Sequence, residues 1–159
     1  MKKYYGFTLI EILIVGLILG VLSAIAFPSY QSHILRVNRT DVKLALSAFS
    51  SAMESHFSRE GNYVSAAIDS ANKTSISSAT AAHIFPPEAP LDRLDKLYLL
   101  RIIKADAYHY VIQAIPINNK KMQGDGFFQL DSYGLQAWDK NDSGAIDKDE
   151  WCWEAQSCL

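Results

Sequence analysis

The sequence predicts an α+β protein, a long N-terminal α-helix whose first half is transmembrane and whose second half packs on a four-stranded antiparallel sheet. Three observations predict it. The run from Phe7 to Phe27 is almost wholly apolar and long enough to cross a bilayer as a helix. Behind it Tyr30, Ile34, Val37, Val42, Leu46, Phe49, Met53 and Phe57 recur every three to five residues, the spacing of a helix with one buried face. LYLLRIIK (97–104), YHYVIQAIP (108–116) and GFFQLDSYGLQAW (126–138) then read as four short strands, the last stretch turning at Ser-Tyr-Gly. A helix stripe and a meander each need a cover for one apolar face, and each covers the other.

The segments follow in order. Residues 1–6 are a short leader with Lys2 and Lys3, which the positive-inside rule keeps on the cytoplasmic side. Residues 7–28 form the transmembrane segment, and 29–61 the amphipathic second half of the helix, with Arg36, Arg39, Lys43, Glu54 and Arg59 largely opposite the apolar stripe. Pro28 lacks an N–H and is expected to kink the helix or break its ladder locally. Gly61 is the expected stop, since glycine takes the left-handed conformation that ends helices. A helix from Phe7 to Arg59 would be roughly 80 Å long at 1.5 Å per residue. Residues 62–95 read as a connecting loop, rich in Ala and Ser, with Pro86, Pro87 and Pro90 near its end. Residues 96–159 carry the sheet and a C-terminal loop.

Composition narrows the function. The formal charge is −2, and −4 once Lys2 and Lys3 are removed, leaving 13 basic against 17 acidic residues. That balance argues against nucleic acid as the main partner. No glycine-rich phosphate loop, serine nucleophile elbow or HExxH stretch occurs, His33, His56, His83 and His109 are scattered, and no acid pair stands out as a dyad, so the chain does not read as an enzyme. Cys152 and Cys158 are the only cysteines and have no zinc-finger spacing around them, which points to a disulfide in an oxidising compartment.

Glu11 is the one acid in the apolar run. An acid at the centre of a spanning helix costs on the order of 2.5–3.5 kcal/mol; nearer the end it costs less but still calls for a functional reason and a partner. The leader and run also have the parts of a secretory signal, with Ala24-Ile25-Ala26 as a small-x-small cleavage site, although the run is long for a signal core. GFTLIE (6–11), between a short basic leader and the long apolar run, resembles the processing motif of type IV pilins and pseudopilins. The resemblance implies that a prepilin peptidase cuts between Gly6 and Phe7 and methylates the new amine of Phe7. It also implies that this amine meets the Glu11 carboxylate of a neighbouring subunit. A charge pair of that kind rewards correct register, because removing one partner strands the other.

The stretch 29–64, YVIQAIP (110–116) and FFQLDSYGLQAW (127–138) resemble PilE-like minor pilins, which implies the type IV pilin fold. In that family a cysteine commonly stands before the Gly-x-x-x-Leu strand and pairs with one near the C-terminus. Here Asp125 holds that place, and a Cys152–Cys158 bridge closes only a short ring, for which loop entropy gives about 2 kcal/mol. Something else is therefore expected to hold the C-terminal loop. DKNDSGAIDKDE (139–150) fits the twelve-residue calcium loop of EF-hands: Asp139, Asn141, Ser143, the Ala145 carbonyl, Asp147 through water and a two-handed Glu150 supply oxygens around Gly144. Its flanks are not those of a full EF-hand, and the alternative is an acidic surface turn. The expectation is a structural Ca2+ staple.

Together these readings predict a minor pilin, anchored in the bacterial inner membrane, processed by prepilin peptidase and packed with other pilin subunits into a periplasm-spanning or extracellular filament. Pilus biogenesis, twitching motility, adhesion and DNA uptake are the implied activities. Two alternatives stay open: a pseudopilin of a type II secretion system, and a DNA-binding or adhesive tip subunit. The only support for DNA in the head is a small basic set, Arg101, Lys104, Lys120 and Lys121.

Overall fold

A computed structural model of the protein describes residues 7–68 and 74–153. The chain divides into two units, Met1–Val37 and Asn38–Leu159. One helix, α1 (Leu9–Glu60), begins in the first and ends in the second. It runs through Pro28 without interruption, so the expected break in the ladder does not end the helix.

In the first unit every large apolar side chain from Phe7 to Phe27 is at least 50 % exposed. α1 is long and apolar enough to cross a membrane. A continuous apolar surface of this size exceeds what a soluble monomer shows to water and requires lipid or other helices as its surroundings.

From Asn38 onward the helix has a buried stripe: Asn38, Val42, Ala45, Leu46, Phe49, Met53 and His56. The periodicity located Val42, Leu46, Phe49 and Met53. Tyr30 and Val37 are exposed instead. α1 ends where expected: the N–H of Gly61 donates to the Phe57 carbonyl at 2.8 Å, and Gly61 has φ 72°.

The stripe covers an antiparallel sheet in which spatial order follows chain order: β1 (Glu88–Ala89), β2 (Tyr98–Ala105), β3 (Tyr110–Pro116), β4 (Phe128–Asp131) and β5 (Gln136–Trp138). β2 to β5 are the four expected strands. The two-residue β1 adds a fifth inside the segment expected to be loop. Alternation works as the pattern requires, with Tyr98, Leu100, Ile102, Tyr110, Ile112, Ala114, Phe128 and Leu130 facing the core.

Both sheet edges are covered. Along β2, the N–H groups of Ile76 and Thr80 donate to the Ala105 and Ile102 carbonyls at 2.7 and 2.9 Å, and β1 pairs with Tyr98 and Leu99. Along β5, the Trp138 N–H donates to the Glu150 carbonyl at 2.9 Å. An open edge would template pairing with other chains. The 62–95 segment thus has a fixed role that its loop-like composition conceals.

His56 is buried on the inner face of α1, and its Nε2 lies 2.8 Å from the Ser65 hydroxyl, tying the end of α1 to the 3₁₀ turn Val64–Ala66. Burial first, and then the neighbouring His83, holds its imidazolium below the usual range.

Gly126 has φ 70°, and a Cβ there would come within 1.6 Å of the Asp139 carbonyl oxygen. This close approach lets the Asp139 N–H donate to the Phe127 carbonyl at 3.0 Å and seats β5 on β4. Gly126→Ala is expected to lower the stability of the full chain by more than about 2 kcal/mol, through a left-handed alanine and a backbone collision. Thermal unfolding in detergent measures it; an unchanged midpoint would mean the two segments do not meet this closely.

Candidate functional site

At the N-terminus, the Glu11 carboxylate does not wait on a neighbour for all of its contacts. Its Oε2 accepts from the Thr8 N–H and hydroxyl, each at 3.4 Å, while the Glu11 N–H donates to the Thr8 hydroxyl oxygen at 3.3 Å. This is a capping box, with Thr8 before the helix and Glu11 three residues on, and the acid also favours the positive end of the helix dipole. The Thr-x-x-Glu spacing in TLIE was the signal for it, and reading Glu11 only as an intramembrane charge missed it. Gly6 lies outside the described residues, and Phe7 is 80 % exposed at the start of the run.

In the head, Asp125 stands at a junction of three elements. The Arg39 guanidinium of α1 reaches both of its carboxylate oxygens, Nε donating to each at 3.0 Å and Nη2 making a further short contact to Oδ1. Tyr98 of β2 donates its hydroxyl to Oδ2 at 3.1 Å, and the Trp138 indole of β5 donates to the Asp125 carbonyl at 2.7 Å. The guanidinium lies 4.5 Å from the centroid of the Trp138 ring, which stacks on Phe128 at 5.3 Å. Burial, and after it the charge of Asp125, pushes the Tyr98 phenol above the usual tyrosine range, so it remains a donor. The place where the related pattern has a cysteine is thus filled by a polar brace joining α1, β2 and β5. Lys43, one turn along α1, donates to the Trp153 carbonyl at 2.5 Å and extends the grip toward the C-terminus. The expected disulfide falls partly outside the described residues: Cys152 is half-buried, and Cys158 is not among them.

The 139–150 loop closes on itself. Asp139 and Glu150 are buried; Asn141, Ser143, Ala145 and Asp147 are exposed. The Asp139 oxygens accept from the N–H groups of Ser143 and Gly144 at 2.9 Å each. Glu150 accepts from those of Lys140 at 2.8 Å and Asp147 at 3.0 Å. The Asn141 amide donates to Asp147 at 3.1 Å. Among the described residues no group of three or more His, Cys, Asp or Glu side chains is arranged to hold a metal ion.

The basic set does not form one patch. Lys120 pairs with Asp95 at 2.9 Å, and Arg101 donates to the Pro87 and Leu100 carbonyls at 3.1 and 2.8 Å. Lys104 lies near the end of β2 remote from Tyr98, whereas the loop with Lys120 and Lys121 follows Pro116, the register partner of Tyr98.

Comparison with known proteins decides the family. A family model described as type IV minor pilin ComP, DNA uptake sequence receptor, matches residues 28–125, more than half of the chain. The chain belongs to this minor pilin family. A second model, the prokaryotic N-terminal methylation motif, matches residues 1–27 of the pilin. Similar proteins include a fimbrial protein of Pseudomonas aeruginosa, 47 % identical over 55 residues that make up 35 % of this chain and 36 % of that one. Fimbrial protein EcpB of Eikenella corrodens is 43 % identical over 61 residues, 38 % of each chain. A fimbrial protein of Neisseria meningitidis is 34 % identical over 79 residues, 50 % of this chain and 43 % of that one. The pilin thus spans less than half the length of the curated relatives it matches, and no solved structure matches it.

In this minor pilin Asp125→Asn keeps the side-chain shape but removes the charge facing Arg39. The variant is expected to lose about 1–3 kcal/mol, the usual scale for a charged hydrogen bond left unmade. Thermal unfolding of the full chain in detergent gives the difference, and a midpoint equal to that of the parent would show that Asp125 braces nothing.

Proposed function

We propose that this chain is a minor subunit of a type IV pilus, cut between Gly6 and Phe7, methylated on Phe7 and assembled with other pilins through its apolar helix for DNA uptake. Its mechanism is assembly rather than catalysis. The observation that carries the reading is the methylation motif joined directly to an exposed, membrane-length helix. DNA uptake rests on the description of the matched family. A net charge of −2 counts against DNA as the main partner but does not report where the charges stand. In a deletion strain, transformation by added DNA is expected to collapse while secretion of hydrolases continues. Failed secretion with normal transformation would overturn the reading in favour of a secretion pseudopilin.

Glu11 is proposed to exchange its capping contacts for the methylated amine of a neighbour during assembly. Glu11→Gln separates the two roles, because glutamine still serves a capping box but carries no charge. Glu11→Gln is expected to be processed normally yet to appear at least about tenfold less in sheared filaments, the ratio that 1.4 kcal/mol of lost pairing gives. Normal incorporation of Glu11→Gln together with poor incorporation of Glu11→Ala would reduce Glu11 to a helix cap.

Ca2+ is proposed as a structural ligand of the 139–150 loop. Support comes from the complete set of oxygen positions in the sequence and from burial of the first and last carboxylates, Asp139 and Glu150. Calcium tolerates flexible coordination by six to eight oxygens, including carbonyls and water. The unfolding midpoint of the full chain should rise with Ca2+, not with Mg2+, and return with EGTA. A midpoint indifferent to Ca2+, with no heat of binding, removes the proposal.

A further inference from the structure

The buried face of α1 carries two polar side chains, Asn38 and His56. His56 stands where the helix meets the segment that closes the free edge of β2. That segment has two arms, one starting in the 3₁₀ turn Val64–Ala66 and one returning through Ala81, Ala82 and His83. The arms hold each other: the His83 N–H donates to the Ala66 carbonyl at 3.0 Å, and the Ile68 N–H to that of Ala81 at 2.9 Å. The returning arm also holds β2. The N–H groups of Ile76 and Thr80 donate to the Ala105 and Ile102 carbonyls, and the N–H groups of Ala105 and Ile102 donate back at 3.0 and 2.8 Å. Ring stacks fasten the two ends to α1, Phe57 on Tyr63 with centroids 4.7 Å apart and Phe49 on Phe85 at 5.0 Å.

Between these stacks His56 touches both arms. Its Nε2 reaches the Ser65 hydroxyl of the first, and its ring meets that of His83 on the second edge-on, with centroids 5.8 Å apart. His56 is 5 % exposed, whereas His83 is open to solvent. A neutral imidazole either accepts the Ser65 proton or donates its own, but a cation can only donate. It would also be a charge withdrawn from water beside a second imidazole. Burial is the first cause holding protonation of His56 below its ordinary value of 6.5, and His83 is the second. Glu60, one turn along α1, opposes them, and Arg59 adds to them; Ser65, facing from the 3₁₀ turn, is uncharged. Neutral His56 therefore supports the closed arms fully above its ordinary value, and that support is lost as pH falls through the depressed one.

We propose that His56, Ser65 and His83 form an acid-sensitive latch: a proton on His56 releases the two arms from α1 and uncovers the edge of β2, while the helix and sheet stay folded. The release is local because the core from Val42 to Met53 and the two ring stacks take no part in it. An uncovered strand edge can accept a strand from another chain. The inference rests on the packing at the end of α1 and is independent of the proposed role in DNA uptake.

The test is amide exchange of the full chain in detergent, corrected for the intrinsic effect of pH on exchange. It runs from about pH 7.5 to about pH 5, a span that crosses the histidine range. Protection of the Ile76 and Thr80 amides is expected to fall by about tenfold, the change that one unit of depression gives. Ile112 and Ala114 of β3 should keep theirs. His56→Gln keeps a donor and an acceptor for Ser65 but takes no proton, so its arms should stay equally protected across the span. His83→Gln, at an exposed position that leaves the fold intact, should shrink the loss to less than about threefold, half a unit. Full protection of Ile76 and Thr80 at about pH 5 would overturn the proposal. So would an undiminished loss in either variant, or an equal loss at Ile112 and Ala114.

Discussion

The ion pair between Arg39 and Asp125 is the constraint on which the head depends, because it is where four separate parts of the chain are made to agree. The guanidinium comes from α1, its carboxylate precedes β4, and the groups that complete the junction, Tyr98 and Trp138, belong to β2 and β5. A salt bridge on an open surface contributes little. This one is different in kind: the Asp125 side chain is only 9 % exposed, its second oxygen takes a phenol, and an indole covers the guanidinium. Charge, hydrogen bonding and aromatic stacking require the same placement, so a shift of any one element is felt by the others.

The N-terminal unit works by the opposite rule. Its apolar side chains find no cover within their own unit, and their exposure is a demand on the surroundings. On the proposed function, lipid meets it in a membrane and neighbouring helices meet it in a filament, and transfer between the two leaves the apolar area covered throughout. The capping box suits that exchange. Thr8 gives Glu11 long contacts, at 3.3 to 3.4 Å, which finish the helix end and which the proposed pairing with a positive amine would replace.

Much of this was legible from residue order. Hydrophobic periodicity located the inner helix face from Val42 to Met53, Gly61 ended α1, and β2 to β5 fell within a few residues of where alternation put them. The parts that were not legible share a cause: their roles are set by what lies across from them in space. Asn38 is buried because Arg93 and Met122, remote in sequence, meet it, while Tyr30 and Val37, which continue the apolar periodicity in the first unit, are exposed. Ile76, Thr80 and β1 lie in an Ala- and Ser-rich stretch with little strand pattern, and they pair because β2 offers an unfilled edge. The Asp125 brace was visible only as a missing cysteine. The capping box was local and could have been read, but the hydrophobic setting of Glu11 drew attention to a neighbouring subunit ahead of its own first turn. Net charge, finally, spoke against DNA as the main partner, whereas the matched family is described by it; a sum over the chain says little about where charges stand.

The register of the sheet puts the brace and the turns at Asp106 and Asp131 at opposite ends. Tyr98, Pro116, Phe128 and Trp138 line up at one end, and Ala105, Tyr110 and Asp131 at the other. At the first end α1 and the C-terminal segment are fastened to the sheet by buried, mutually dependent contacts that tolerate little change. At the second the chain reverses twice in short turns, each held by its own aspartate, and α1 meets it at Tyr110, whose hydroxyl lies 2.8 Å from that of Ser50. Turns stabilised locally can change their outward side chains without disturbing the core beneath. The buried end holds its elements in one arrangement, whereas the far end carries Tyr108 and Tyr133 outward on turns that can vary without disturbing it.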